Sequence, residues 1–347
     1  MSRLDFTEFS DDKKIKKRKR HDNDTNNDTN IIDNDTIIHQ SNSLDNNNNN
    51  NDEYQMKLVI PQTFTKQIKK IFENNSVFPY ITLLFNQSGW RIISKNETDS
   101  LYLLAEIPSK FFTYYYIANN KIRITLDIIR LHKLFNAADK YEILSLSIKN
   151  NNAIIFVEMI SKKHTLETKR QSCLTGMEVA QIKSIPNSKI YNYMMEFEAT
   201  HFCDIISDFN NHSHGNGSNE IIIATDYHSV VFLVHEDGDE PIILTLSPKN
   251  RIPKIEENKD ENTFYCAKFL IKYLVIVAKT KIKTDSIYLH FHGGDSPLLI
   301  RYIIDLPSNN NNNSDSGVLK FFIGELFPDD KFLEDKALCF KELNKLN

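Results

Sequence analysis

Hydrophobic and polar positions along the chain follow two periods, one typical of helices and one typical of strands. Apolar residues recur every three or four positions in four segments, which predict helices at 63–74, 126–139, 200–210 and 264–283. Between them lie short runs rich in Ile, Leu, Val, Phe and Tyr, which predict strands. These runs occupy 54–60, 80–86, 90–95, 100–107, 143–150, 153–160, 190–199, 220–225, 229–236, 242–248, 285–294, 296–307 and 319–327. The pattern predicts an α+β fold.

The order of these elements is the same in two halves of the chain. Each half begins with a strand and a helix, continues with further strands and a second helix, and closes with strands. A less regular stretch at 173–190 separates the halves. Their sequence identity is too weak for a sequence repeat, so the similarity lies in the order of elements. We therefore expect two similar domains joined by a linker.

The predicted helices carry rows of basic residues away from their apolar faces. At about 100° per residue, Lys268, Lys272, Val275 and Lys279 of the fourth helix fall within a strip about 60° wide. On the first two helices, five basic residues lie off the apolar face: Lys66, Lys69, Lys70, Arg130 and Lys133. Such rows either keep a helix soluble or contact a negatively charged partner. Their recurrence on three helices favours a partner.

Composition restricts the location and the redox chemistry of the chain. It has 347 residues with 40% hydrophobic content, and no apolar run reaches the roughly 18–20 residues that a membrane span needs. No apolar segment follows Met1, so we expect no secretory signal. The four cysteines, Cys173, Cys203, Cys266 and Cys339, are far apart and form no CxxC pair. We expect free thiols in a reducing compartment.

Residues 1–53 are rich in Asn and Asp and poor in aromatic residues, which predicts disorder. The basic cluster at 13–20, KKIKKRKR, is typical of a nuclear import signal or of a loose nucleic-acid contact. This tail holds 8 Lys and Arg against 12 Asp and Glu, which leaves 42 − 8 = 34 against 46 − 12 = 34 in the rest. A basic surface on the folded part must therefore be balanced by an acidic surface. Asn-rich pieces at 210–219 and 308–317 are expected to be surface loops.

Candidate catalytic and metal-binding residues are few. The chain contains no GxxxxGK[ST], HExxH or GxSxG motif. His290 and His292 alternate onto one face of a strand, where they could bind a metal, but no third ligand lies nearby in the sequence. We expect no metal, no cofactor and no catalytic residues. An α+β enzyme whose site the motifs do not reveal stays an alternative.

Residues 54–328 resemble the eukaryotic-type DNA sliding clamps, the proliferating cell nuclear antigen (PCNA) family. The segments that carry the resemblance are 269–280, then 296–304 followed by 319–327, and 177–186, which is similar to the family's interdomain connecting loop. None is a catalytic signature, so the resemblance depends on their order and spacing. It implies domains at 54–172 and 191–328, a connecting loop at 173–190, and a C-terminal tail at 329–347.

The resemblance implies a homotrimeric ring with helices inside and antiparallel sheets outside. Strand 164–172 would pair with strand 240–247 of the next subunit. Such a ring encircles duplex DNA, acts as a processivity factor for DNA polymerase, and takes part in DNA replication and repair. The residues that would face DNA are Lys66, Lys69, Lys70, Arg130, Lys133, Lys272 and Lys279. The third helix departs from the family because Asp204, Ser207 and Asp208 stand where basic residues are usual.

The resemblance also implies a pocket for short client peptides beneath the connecting loop. Its residues would be Met177, Val179, Ile182, Ile185, Pro297, Phe322 and Ile323. Alternatively, the loop residues only pin the linker to the core. Lys95 and Ser100 replace apolar residues that usually floor the pocket, so client preference is expected to differ. Expected partners are duplex DNA, DNA polymerase, a clamp loader and client peptides, with no membrane.

Two further alternatives concern assembly and location. A subunit of a hetero-trimeric DNA-damage checkpoint clamp would have the same fold, and it would explain the altered third helix. The expected location is the nucleus. The abundance of Asn, Lys and Ile suggests the AT-rich genome of a protist or of a large DNA virus. If the source is such a virus, the expected location is a viral replication compartment.

Overall fold

The computed structural model describes most of the chain after residue 53. The described residues are 54–73, 77–118, 121–149, 153–163, 166–178, 185–186, 191, 193–213, 219–226, 228–235, 240–246, 250–253, 264–280, 282, 284–292, 297–305 and 316–345. The predicted tail with its basic cluster lies outside them, as do most of the Asn-rich loops.

The first half contains nine strands and two helices in the described part of the chain. In order these are β1 (Tyr54–Pro61), α1 (Gln62–Glu73), β2 (Tyr80–Asn86), β3 (Gly89–Lys95), β4 (Leu101–Pro108), β5 (Tyr114–Ile117), β6 (Lys121–Asp127), α2 (Ile128–Ala138), β7 (Ile143–Lys149), β8 (Ile154–Lys163) and β9 (Leu166–Thr175). A short 3-10 turn, Ser109–Phe111, lies between β4 and β5.

The second half has the same order, as far as it is described. Its elements are β10 (Tyr193–Glu198), α3 (Ala199–Ser213), β11 (Glu220–Thr225), β12 (Val230–Val234), β13 (Ile242–Leu246), β14 (Asn250–Pro253), β15 (Tyr265–Leu270), α4 (Ile271–Lys279), β16 (Ser286–Phe291), β17 (Leu298–Ile304) and β18 (Gly317–Ile323). A fifth helix, α5 (Asp330–Asn344), follows. The predicted correspondence between halves is confirmed.

The strands described above form three antiparallel sheets. Two have the orders β5-β1-β7-β8-β9 and β13-β12-β11-β15, and the third is a nine-stranded sheet with the order β14-β10-β16-β17-β18-β4-β3-β2-β6. Each half therefore supplies one five-stranded and one four-stranded set in the same relative order. Pairing of β18 with β4 joins two of these sets across the halves, from Val318↔Glu106 to Ile323↔Leu101.

An ion-pair network reinforces this junction between the halves. Lys320 Nζ lies 2.9 Å from a carboxylate oxygen of Glu106, and Arg91 lies 2.9 Å from the other. Burial disfavours the charged carboxylate, but the interactions with Lys320 and Arg91 outweigh that effect and lower the pKa of Glu106. The two halves are therefore joined by ion pairs as well as by strand pairing.

One face of each sheet packs against a helix pair. In β2, Ile81, Leu83 and Phe85 alternate into the main apolar core. Helix α1 packs on α2 and α3 packs on α4, with their apolar stripes turned to the sheets. Asp127 caps α2 by accepting hydrogen bonds from the amides of Ile129 and Arg130. Within the described residues, no helix is long and apolar enough to cross a membrane.

The helix predicted at 264–283 is wrong in its first third. Residues Tyr265–Leu270 form β15, which pairs with β11, and the helix begins only at Ile271. Tyr265, Ala267 and Phe269 alternate into the core with the period of a strand. No Gly or Pro separates the two elements in the sequence, so the apolar run was read as one helix. Lys268 consequently does not belong to the lysine row of α4.

The C-terminal segment predicted as a tail is largely the helix α5. Its buried residues Phe332, Cys339 and Leu343 cover an outer face of the four-stranded sheet formed by Ile222, Ala224, Val231 and Leu233. Asp329 caps the helix by accepting a hydrogen bond from the amide of Phe332. His235 Nε2 and Asp335 Oδ1 lie 2.7 Å apart on the same interface. The helix is therefore an integral part of the second half.

The prediction also missed β5, β6 and β14. In β6, the apolar residues Ile122, Ile124 and Leu126 alternate with Lys121, Arg123 and Thr125, and Ile124 and Leu126 are buried. An edge strand needs only one apolar face. This short alternation runs directly into the apolar period of α2, so the pattern here predicts only the helix.

Candidate functional site

Three of the four paired helices present basic residues on the side away from the core. Lys66 on α1, Arg130 and Lys133 on α2, and Lys272 and Lys279 on α4 are exposed, whereas Lys69 and Lys70 are half-buried. The apolar residues of the same helices are buried against the sheets. The sequence-predicted basic residues therefore lie on the solvent faces of the two helix pairs.

Lys69 forms ion pairs with carboxylates of its own half. Its ammonium lies 3.4 Å from Asp139 and 3.9 Å from Glu73. Each carboxylate reduces the positive potential that this residue offers to solvent. Lys69 is therefore a weaker candidate for an anion contact than Lys66.

The two lysines of α4 are better placed. Lys272 Nζ lies 5.1 Å from the ring centroid of Tyr273, and Lys279 lies in the last turn of the helix. In the described part of the chain, neither forms an ion pair. Both ammonium groups are therefore available to a phosphate.

Helix α3 differs in charge from the other three. Asp204, Ser207 and Asp208 are exposed, and the apolar residues Phe202, Ile206 and Phe209 are buried behind them. The solvent face of α3 is thus acidic where the faces of α1, α2 and α4 are basic.

Lys268, placed in the lysine row by the sequence prediction, is buried instead. Its ammonium lies 2.7 Å from Asp329 and 3.2 Å from Glu220. Burial alone would lower the pKa of Lys268, but hydrogen bonds to Asp329 and Glu220 outweigh it and raise the pKa. Lys268 therefore ties β15 and β11 to the start of α5.

A separate apolar cluster lies on the outer face of the junction between the halves. Its members are Ile93, Leu104, Tyr191, Leu299 and Phe322, with Leu84, Tyr102 and Ile185 packed against them. Phe322 is cross-strand partner to both Leu299 and Tyr102. We call this set the junction cluster. It combines strands from both halves with residues of the connecting segment.

The structure brings only part of the predicted peptide pocket to this cluster. Phe322 and Ile185 belong to it, and the carbonyl of Pro297 accepts a 2.8 Å hydrogen bond from the Tyr191 hydroxyl. Ile323 packs in the main core because neighbouring residues of a strand face opposite sides. An outer-face pocket therefore cannot include both Phe322 and Ile323.

The remaining pocket residues lie elsewhere or are not described. Met177 is 41% exposed, and its amide donates to the carbonyl of Thr125 on β6. Val179 and Ile182 lie outside the described residues.

Lys95 and Ser100, the two polar positions expected beside the peptide pocket, lie next to the junction. Lys95 Nζ is 2.5 Å from a carboxylate oxygen of Asp99, and this hydrogen bond raises the pKa of Lys95. The carbonyl of Ser100 accepts a 2.8 Å hydrogen bond from the amide of Gly324, just after β18. Burial raises the pKa of the nearby Tyr102 hydroxyl. The edge of the junction formed by Lys95, Ser100 and Tyr102 is therefore polar.

Sequence reasoning missed Ile93, Leu104, Tyr191 and Leu299. A usable signal was present in β17, where Leu298, Leu299 and Ile300 are all apolar. A continuous apolar run indicates that both faces of a strand are buried. The inner face packs in the core and the outer face in the junction cluster.

A cavity of about 620 Å³ opens where α4 approaches the first half. Its lining includes Phe78, Tyr80, Asn96, Ile129, Lys272 and Tyr273. Asn96 Nδ2 donates a 3.0 Å hydrogen bond to the Tyr273 hydroxyl, which links the halves a second time. Lys272 therefore stands at the edge of the junction between the halves.

The histidine pair does not assemble a metal site in the described residues. His290 and His292 both contact the ring of Tyr191, at centroid distances of 5.9 and 6.5 Å. The described part of the chain contains no group of three or more His, Cys, Asp or Glu that could hold a metal ion.

Comparison with known proteins identifies the fold. No protein-family model matches the chain, and no curated protein matches it in sequence. Among solved structures, it is similar to the Proliferating Cellular Nuclear Antigen of Entamoeba histolytica, with TM-score 0.62 and 17% identity over 79% of this chain and 100% of that one.

Two archaeal structures give the same result. They are a PCNA2-PCNA3 complex from Sulfolobus tokodaii (TM-score 0.61, 17% identity, 78% of this chain and 99% of that one) and PCNA from Thermococcus kodakaraensis (TM-score 0.61, 16% identity, 78% and 100%). The predicted fold is confirmed: the chain has the fold of the PCNA sliding clamps.

Proposed function

We propose that the protein is a sliding clamp that encircles duplex DNA as a ring of three copies and tethers DNA polymerase and other replication and repair proteins. The observation that carries the proposal is the pairing of β18 with β4 between the two halves. Equivalent strands at the sheet edges would allow whole chains to pair with one another in the same manner.

The counterparts of β18 and β4 in the other halves are β9 and β13. Both lie at an edge of their sheet in the described part of the chain. An exposed strand edge has unsatisfied amides and carbonyls and is a template for pairing with another chain. If β9 of one copy pairs with β13 of the next, the internal junction is repeated head to tail, and such a contact gives a closed ring when the rotation fits.

The helix faces support a DNA-binding role for the interior of that ring. Lysine and arginine side chains attract phosphates through a term that depends on salt and not on base sequence. Lys66, Arg130, Lys133, Lys272 and Lys279 are exposed on the side away from the sheets. These residues would hold duplex while permitting movement along it.

The junction cluster supports a role in client binding. Its five central residues are buried by the chain itself, and Leu84, Tyr102 and, from the connecting segment, Ile185 form a partly exposed apolar edge beside them. Peptide helices commonly dock in apolar grooves through aliphatic and aromatic anchors. A client peptide would dock there, and the proposal assigns the chain itself no catalytic step.

The same fold supports a second candidate, a subunit of a hetero-oligomeric checkpoint clamp. One similar structure is a PCNA2-PCNA3 complex, so subunits with this fold can assemble with different partners. The acidic face of α3 separates this chain from a uniformly basic clamp wall. Import into the nucleus through the cluster at 13–20 is part of both proposals.

Light scattering of the purified chain tests the assembly. A self-assembled ring has three times the 40.4 kDa subunit mass at micromolar concentration. A stable monomer would contradict the homotrimer and favour the hetero-oligomeric clamp. Retention on a duplex with blocked ends, compared with rapid loss from open ends, then tests encirclement.

A further inference from the structure

Helix α3 has an acidic solvent face, whereas α1, the equivalent helix of the first half, has a basic one. Each helix follows the first strand of its half. The buried residues of α1, Phe64, Ile68 and Ile71, match those of α3 in their spacing: Phe202, Ile206 and Phe209. With these aligned, the solvent positions of α1 and α3 correspond one to one.

At two of the three basic positions of α1, helix α3 carries an acidic residue instead, and at the third it carries a serine. Lys66, Lys69 and Lys70 of α1 correspond to Asp204, Ser207 and Asp208 of α3. Among the described residues, Asp204 and Asp208 form no ion pair, and α4 beside them contributes the exposed cations Lys272 and Lys279. The two carboxylates are therefore solvent-facing charges that no described cation neutralises by direct contact.

A carboxylate on a DNA-facing wall acts against the lysines beside it. Two like charges a few ångströms apart repel each other, and the repulsion is stronger near a protein surface than in bulk water. Screening confines the effect to about 8–10 Å at moderate salt, so it acts on phosphates that approach α3 itself. On the proposed function, α1, α2 and α4 of each chain would attract the duplex and α3 would repel it.

We propose that Asp204 and Asp208 make α3 a repulsive segment of the DNA-facing wall, which keeps the duplex on α1, α2 and α4 and weakens retention on DNA. This inference rests on the proposed function. The ligand is the phosphate backbone of duplex DNA, and α3 sets how tightly the ring holds it. Three copies place three such segments around one ring.

Charge reversal at the two aspartates tests the proposal. The double variant Asp204→Lys/Asp208→Lys should bind a labelled duplex more tightly than the unaltered protein, as measured by fluorescence anisotropy across a salt series. Each new lysine–phosphate contact should steepen the slope of log affinity against log salt by about 0.9. The neutral variant Asp204→Asn/Asp208→Asn should bind with intermediate affinity. Thermal melting should change little because both side chains are exposed.

A matched control separates local from overall charge. Glu178→Lys/Glu334→Lys makes the same charge change at two exposed positions away from the paired helices. If the α3 variants bind no more tightly than this control, α3 does not approach DNA and the inference fails.

A second control separates this failure from failure of the clamp proposal. Lys272→Ala/Lys279→Ala should weaken binding and flatten the salt slope. If that variant changes nothing, the paired helices do not face DNA and the proposed function fails. If it weakens binding while the α3 variants behave as the control does, only the inference about α3 fails.

Discussion

Single residues show where sequence patterns suffice and where they do not. Lys66 and Lys272 belong to amphipathic helices, so their exposure follows from helical spacing. Lys268 has the same spacing but lies on a strand, where it is buried and forms ion pairs with Glu220 and Asp329. Ile323 shows the same limit, because only the strand direction decides that it faces the core and Phe322 the outer cluster.

Lys268 should be a stabilising residue. Lys268→Ala removes a buried side chain and its hydrogen bonds to Asp329 and Glu220, so the free energy of unfolding should fall by about 1–3 kcal/mol. Urea denaturation measures this change. The exposed Lys272→Ala is the control and should cost less than about 0.5 kcal/mol. Equal effects of the two substitutions would contradict a structural role for Lys268.

Ile185 should contribute to client binding. Ile185→Asp puts a charge against the junction cluster, where a client's apolar anchor would dock, at a cost of a few kcal/mol to binding. Stimulation of a DNA polymerase should fall while the oligomeric mass is unchanged. Met177→Asp is the control because Met177 is 41% exposed and lies outside the cluster. Loss of the oligomer with Ile185→Asp would instead favour a purely structural linker.

At the scale of elements, the sequence predicted all four paired helices and most strands, because their apolar periods are local. It missed α5, although β11 and β12 gave a signal. Ile221, Ile222 and Ile223 are consecutive in β11, and β12 is Val230–Val234 with every residue buried. Strands that are apolar on both faces require a cover on each. The helices α3 and α4 cover one face, and α5 covers the other.

Removing α5 should therefore damage the second half. Truncation after residue 328 exposes Ile222, Val231 and Leu233 and removes the ion pair between Lys268 and Asp329. We expect a lower melting temperature and binding of a hydrophobic dye, because a contiguous apolar patch becomes exposed. Deletion of residues 1–53 is the matched truncation and should leave both unchanged, since that segment lacks apolar content. Normal melting without α5 would show that the helix is dispensable.

At the scale of the whole molecule, the junction between the halves was beyond sequence reasoning. Strands β4 and β18 are more than 200 positions apart, and nothing in their sequences specifies that they pair. The predicted order of elements was correct, but which sets of strands join is a property of tertiary packing. Once that pairing is known, the shared strand order of the two halves predicts the same pairing for β13 and β9.

The register of the internal junction predicts the contact between chains. When strands β12 and β13 are aligned with their counterparts β3 and β4, Leu244 of β13 takes the position of Ala105. When β8 and β9 are aligned with β17 and β18, Arg170 of β9 takes the position of Leu319. Ala105 and Leu319 are paired in the junction, as are their neighbours Glu106 and Val318. Thr245 of one chain should consequently lie opposite Lys169 of the next.

A cysteine cross-link tests that register. Directly opposed residues in an antiparallel pair have Cβ atoms about 4.5–5.5 Å apart, close to disulfide geometry. Lys169→Cys/Thr245→Cys, made together with Cys173→Ser to remove the exposed thiol of β9, should oxidise to a covalent trimer on a non-reducing gel. Arg170→Cys/Thr245→Cys in the same background is the control. Because neighbouring residues face opposite sides of a sheet, it should stay largely uncross-linked. Equal cross-linking of the two variants, or none in either, would show that the chains do not pair through β9 and β13 in the register of the internal junction.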